Sequence, residues 1–99
     1  MTQQETIDHF LKQYPSWARD GKKLFREFLF ADFKSVLPWM VAVGIEAERL
    51  DHHPEWLNVY NRVKVWCITH DLDRISEKDL QLAQICEDLY CKFKPKEGN

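Results

Sequence analysis

Apolar residues recur along this chain with two alternating periods, and the switches between them outline its elements. Over residues 4–13, Ile7, Phe10 and Leu11 fall at helical spacing and predict a short amphipathic helix that Pro15 stops. Trp17-Ala18-Arg19 then runs into Asp20-Gly21, a dipeptide that favours a tight hairpin because glycine tolerates positive φ. The return strand is Leu24 to Phe30, with Phe28 and Phe30 on one face and Phe25 and Leu29 on the other. From Asp32 to Leu50 the spacing becomes helical again, through Phe33, Val36, Leu37, Met40, Val43 and Ala47. Pro38 lies inside this run and predicts either a kink there or a start near Ser35, where a lost N–H costs little, so a helix is expected from about 32 or 35 to 50.

Pro54 breaks the helix, because the residue before a proline avoids helical dihedrals. Trp56 to Val59 and Val63 to Thr69 are rich in β-branched and aromatic residues and read as two strands, with Tyr60-Asn61 as the turn between them. In the second of these, Val63, Val65, Cys67 and Thr69 share one face, and Lys64, Trp66, Ile68 and His70 the other. Ser76-Glu77-Lys78-Asp79 has the form of a capping box and opens a last helix. Its apolar residues form two adjacent stripes, Leu80-Ala83-Cys86-Tyr90 and Leu82-Ile85-Leu89, so it is expected to be covered on more than one side. The tail Lys94 to Asn99 is polar and expected to fray. The order α-β-β-α-β-β-α predicts an α+β fold, a four-stranded antiparallel sheet with about three helices packed on one face.

Composition narrows this picture. Ninety-nine residues make one domain, taken as 1–99 with an ordered core of about 5–93. A domain of this size buries a modest share of its surface, so its 4 Trp, 6 Phe and 3 Tyr matter for stability, and self-association would bury more. The net charge of −2 comes from 14 basic and 16 acidic residues mixed along the chain, with no basic stripe to bind nucleic acid directly. No apolar run approaches the roughly 20 residues of a membrane span, and the polar, acidic start MTQQETIDHF predicts no signal or transit peptide. Cys67, Cys86 and Cys91 are odd in number and lack CxxC spacing, so reduced thiols in the cytoplasm are expected.

The chemistry concentrates in one region. His52 and His53 are adjacent, Pro54 follows at once, Glu48 lies four residues before His52, and His70 ends the later strand. Histidine titrates near neutrality and can both give and take protons at working pH. Glu48 and His52 would meet on one helical face if the helix reached residue 52. His52 and His53 would then address a common pocket from different angles. With Glu48, Asp51 and Asp79 the three imidazoles could supply a general acid, a general base and groups that orient both. Bland readings stand beside this one. His52 could serve the helix dipole, His70 could simply end a strand, and Asp79 is accounted for by capping. A metal site is a further alternative, but adjacent histidines rarely chelate one ion and no HExxH pattern occurs. Ser16, Ser35 and Ser76 lack the context of a nucleophile.

The segments Ala47-Glu48-Arg49-Leu50-Asp51-His52-His53-Pro54-Glu55-Trp56, Asn58-Val59-Tyr60-Asn61-Arg62-Val63 and Thr69-His70-Asp71, together with Asp79, closely resemble pterin-4a-carbinolamine dehydratases. The likeness extends upstream to Trp17, Phe28-Leu29-Phe30 and Asp32-Phe33 and covers the chain from residue 17 to about 90. It implies an antiparallel four-stranded sheet with helices packed against it. It also implies dehydration of a 4a-hydroxytetrahydropterin to the quinonoid dihydropterin, without metal or organic cofactor. That step recycles the pterin spent by aromatic amino acid hydroxylases, chiefly phenylalanine hydroxylase. By position, His52, His53 and His70 resemble the catalytic histidines. Glu48, Asp51, Pro54, Trp56, Thr69 and Asp79 resemble residues that support them or bind substrate. A homodimer or homotetramer is implied as well.

The chain departs from the family where a glycine-containing turn usually follows the third histidine. Here the residues are Leu72-Asp73-Arg74-Ile75, and this loop is expected to take a different path. Trp66 and Ile68, on the face expected to carry His70, are apolar where relatives are often polar, which predicts a subunit contact or an altered pocket rim. Two further functions remain open. One is a dimerisation cofactor of a transcription factor, a role of this family in animals that the double stripe of helix 77–91 could support. The other is action on a different pterin, such as that of the molybdenum cofactor pathway.

Overall fold

The computed structural model describes residues 1–96, and residues 97–99 of the expected frayed tail lie outside the described residues. Seven elements follow in the expected order: α1 (Gln3–Gln13), β1 (Ala18–Asp20), β2 (Lys23–Leu29), α2 (Phe33–Leu50), β3 (Glu55–Val59), β4 (Arg62–Cys67) and α3 (Glu77–Phe93). The strands form one antiparallel sheet in the order β1-β2-β4-β3. Two hairpins make this sheet. The first turns at Gly21-Lys22, where Gly21 takes φ +59°, a left-handed value that glycine adopts without a Cβ penalty. The second turns at Tyr60-Asn61, where Asn58 donates its side-chain amide to the carbonyls of Tyr60 and Arg62. Asn61 then ties this turn to the end of β2 by exchanging two hydrogen bonds with the backbone of Phe30.

The helices cover one face of the sheet. Leu24 and Phe28 of β2 and Val63, Val65 and Cys67 of β4 point to that side and are fully buried. An aromatic cluster joins the layers. The Trp39 ring of α2 lies 4.7 Å from Phe28 and 5.2 Å from Phe30, and Tyr90 of α3 packs at 4.9 and 5.2 Å on the same two rings. Trp39 also donates its indole N–H to the carbonyl of Cys86, and Tyr90 its hydroxyl to the carbonyl of Leu29, so both polar handles are satisfied. The guanidinium of Arg26 lies over the Phe28 ring and pairs with Glu87, which also accepts from the Trp17 indole.

Several expectations are corrected. Of the two starts expected for α2, the one near residue 32 holds and the one at Ser35 does not, and the helix runs unbroken to Leu50. Asp32 caps it by accepting from the Ser35 N–H, and Pro38 is carried inside on the exposed side. Strand β4 ends at Cys67, two residues earlier than expected. Cys67 and Ile68 are consecutively buried, so the in-out alternation lapses, and Ile68 is not on the open face beside Trp66. Thr69 instead makes an isolated bridge to Arg74, and His70 begins a turn closed by the Asp73 N–H on the His70 carbonyl. Asp73 takes the left-handed conformation there (φ 53°) although it is not glycine. The apolar stripes of α3 are largely consumed by the core, through Leu82, Ala83 and Cys86. The helix that presents an exposed apolar row is α2, with Phe33, Leu37, Val41 and Ile45 four residues apart.

Two outcomes follow from this packing. Truncating Trp39→Ala removes the ring on which both layers meet and is expected to cost about 3–5 kcal/mol in urea unfolding. Burial pushes the Cys86 thiol up to about 12 and the Cys67 thiol well above its ordinary range, whereas Cys91 is exposed. The folded state therefore favours the neutral thiols. Their contribution to stability is complete below about pH 8.5 and is lost as pH rises toward the folded values. A thiol reagent at pH 8 should label Cys91 alone in the native protein and all three cysteines in denaturant.

Candidate active site

The end of α2 decides where the two adjacent histidines point. Asp51 is the C-cap in the left-handed conformation, φ 54° and ψ 43°, and its N–H bonds back to Ala47 and Glu48. The His52 N–H also returns to the Ala47 carbonyl. This αL cap satisfies the last carbonyls and turns the chain sharply. Glu48 and His52 consequently do not share a helical face. Glu48 pairs with His53 instead, Oε1 to Nε2 at 2.8 Å, and His52 turns inward.

His52 meets Asp79, the one fully buried carboxylate among the described residues. Its Nε2 lies 2.6 Å from Asp79 Oδ1. Asp79 Oδ2 accepts from the Ser76 N–H and from the Thr69 hydroxyl, both at 2.8 Å. The single proton of Thr69 is thereby committed, so the Ser76 hydroxyl, 2.5 Å away, must donate to Thr69. Against an ionised carboxylate, which only accepts, Nε2 of His52 is the donor of this bond, and in the neutral imidazole Nδ1 is then the nitrogen left to accept a proton. Capping α3 and orienting His52 are two jobs of the same side chain.

His70 reaches the same region from the turn after β4. Its Nε2 faces Glu55 Oε2 at 3.5 Å, and Glu55 Oε1 is held by Lys23 Nζ at 2.6 Å. A cleft of about 430 Å³ lies between these groups. Its wall includes Asp51, His52, His53, Pro54 and Glu55 on one side and Ile68, Thr69, His70, Asp71 and Lys78 on the other. This volume suits a small molecule. A larger cleft of about 590 Å³ on the open sheet face is lined by residues such as Glu27, Leu57, Tyr60 and Lys64 and has no histidine, so size alone does not locate the chemistry. Among the described residues no three His, Cys, Asp or Glu side chains converge as metal ligands.

Of the residues singled out from sequence, His52, His53, His70, Asp51, Pro54 and Thr69 line one cleft. Asp79 and Glu48 stand behind His52 and His53. Trp56 does not join them. It points to the helix side of the sheet, packed against the core with its ring 6.5 Å from Trp39. Sequence reasoning missed Glu55 and Lys78. The period-2 alternation that sends Trp56 inward sends Glu55 to the opposite face, and this was the available signal for it. The Asp79→Asn variant replaces an acceptor of three hydrogen bonds by an amide that brings its own donors into a buried site. It is expected to lower stability by about 1–3 kcal/mol, read by urea unfolding, and to loosen His52.

Comparison with known proteins gives the family. Residues 1–89 match the family of pterin 4 alpha carbinolamine dehydratases. A protein of Novosphingobium aromaticivorans provisionally named pterin-4-alpha-carbinolamine dehydratase is 46% identical over 82 residues, 81% of this chain and 85% of that one. One of Prochlorococcus marinus, with the same provisional name, is 36% identical over 89 residues, 90% of this chain and 94% of its own. The crystal structure of a transcriptional coactivator/pterin dehydratase from Brucella melitensis superposes with a TM-score of 0.83 at 33% identity, covering 90% of this chain and 96% of that one. The chain belongs to the pterin 4 alpha carbinolamine dehydratase family.

Proposed function

We propose that this protein dehydrates 4a-hydroxytetrahydropterins to quinonoid dihydropterins at the cleft of His52, His53 and His70. The observation that carries this reading is that each imidazole is backed by its own carboxylate around one small cleft: His52 by Asp79, His53 by Glu48 and His70 by Glu55. Loss of water from a carbinolamine needs an acid to protonate the 4a-hydroxyl and a base to take the proton from the adjacent nitrogen. The C–O bonding pair leaves with water, and the N–H pair becomes the new C=N bond. The acid ends one proton short and the base one proton rich, and exchange with solvent restores both. Imidazoles near neutrality suit both tasks. His52 and His70 perform the acid–base work, and His53 binds substrate or shares the acid role. Thr69 and Asp79 hold His52 in place, and Asp51 and Pro54 shape the wall.

The reaction serves to recycle the pterin of aromatic amino acid hydroxylases, phenylalanine hydroxylase among them, in the cytoplasm. Free Cys67, Cys86 and Cys91 suit that compartment. The exposed row Phe33, Leu37, Val41 and Ile45 on α2 supports assembly as a homodimer or homotetramer. The same row supports a second reading, a non-catalytic dimerisation module. The test is to generate the 4a-hydroxy compound with a hydroxylase and follow its dehydration by absorbance. Acceleration over the spontaneous rate is expected, with His52→Ala and His70→Ala each losing roughly 10²-fold or more. A wild-type protein that leaves the spontaneous rate unchanged would sink the enzyme reading and favour the module.

A further inference from the structure

Among the three imidazoles of the cleft, His70 has the least local support. His52 is locked by a buried carboxylate and His53 by a residue of its own helix end, whereas His70 sits on a turn with no glycine and is 70% exposed. What holds it comes from two distant segments. Glu55, the first residue of β3, presents Oε2 to its Nε2, and Lys23, the first residue of β2, fixes the other oxygen of that carboxylate. The preceding residue, Lys22, reaches Asp73 at 2.6 Å, and the Asp73 N–H closes the turn on the His70 carbonyl. The two successive lysines of the first hairpin thus hold the His70 turn by the Asp73 carboxylate and its imidazole by way of Glu55. Lys22 and Asp73 are fully exposed; their ion pair raises the Lys22 pKa and lowers that of Asp73.

We propose that Glu55, held by Lys23, is a positioning residue for His70 that sets its ring orientation and keeps a proton on Nε2, leaving Nδ1 as the nitrogen that gives or takes the transferred proton. The inference rests on the reading of this cleft as the dehydration site. Its physical basis is electrostatic: Oε2 stands 3.5 Å from Nε2, longer than a hydrogen bond, and a facing carboxylate favours a proton on the ring nitrogen nearest to it. Pairs this exposed add little to folding. Their consequence is therefore expected in the state of the imidazole and not in stability.

The experiment has two arms. Long-range ¹H–¹⁵N correlation of the imidazoles at fixed alkaline pH reads the tautomer of His70 directly in wild type, Glu55→Gln, Lys23→Met and Lys23→Arg. Wild type and Lys23→Arg should show the Nε2-protonated form, and the other two a shift toward Nδ1–H. In the dehydration assay, Glu55→Gln should lower kcat roughly two- to fivefold, the range an exposed ion pair supplies, with KM nearly unchanged. The same substitution in a His70→Ala background should have no further effect, because coupled residues are non-additive. An unaltered His70 tautomer in Glu55→Gln overturns the proposal, as does an equal loss of rate with and without His70. If wild type fails to dehydrate the substrate, the functional reading falls while the tautomer arm still decides the positioning role.

Discussion

The carboxylate of Asp79 is the constraint on which the site and much of the fold's geometry depend. A buried charge is tolerated only when its hydrogen-bonding capacity is filled, and removing one partner of such a group costs far more than an exposed pair contributes. Here the donors come from three places: Ser76 at the start of α3, Thr69 just past β4, and His52 just past α2. Satisfying one side chain therefore fixes three chain segments relative to each other. The position of His52 is set by the same balance that starts the last helix.

The three histidines differ in how firmly they are held. The His52 side chain is 11% exposed and faces a buried acid, His53 is 57% exposed beside an exposed glutamate, and His70 is 70% exposed on a turn. Proton transfer is sensitive to small misplacements, so under the proposed function rigidity suits His52 to be the fixed member of the acid–base pair. The side of the cleft around His53 and His70 is the one open to solvent. The surface beyond the cleft is divided as well. Helix α3 spends its apolar stripes in the core, while α2 keeps one face for the core and leaves Phe33, Leu37, Val41 and Ile45 outside.

Much of this was legible in the linear pattern. Alternation in Val63, Val65 and Cys67 placed the buried face of β4, the Asp20-Gly21 dipeptide located the first hairpin, and Ser76-Glu77-Lys78-Asp79 located the start of α3. What was left open or misread shares one cause. Pro38 left the start of α2 open between about 32 and Ser35 because proline removes a hydrogen bond, and the Asp32 cap, with Trp39 packed on Phe28 just past the proline, settles it at Phe33. Strand β4 was read too long because Ile68 and Thr69 have strand-forming side chains, although Ile68 joins Cys67 in being buried and Thr69 is engaged by Asp79.

Local sequence determined the element order, the helix caps, the hairpins and the set of histidines, because these depend on residues close together in the chain. Pairing was decided only in three dimensions. Glu48 went to His53 and not to His52 because Asp51 turned left-handed, Trp56 went to the core because its strand faces the helices, and Glu55 and Lys23 reached His70 across the open side of the sheet. A side chain's neighbours across a sheet or at a helix end follow from backbone dihedrals and register, and residues 32 or more positions apart, such as Lys23 and Glu55, meet only after the sheet has formed.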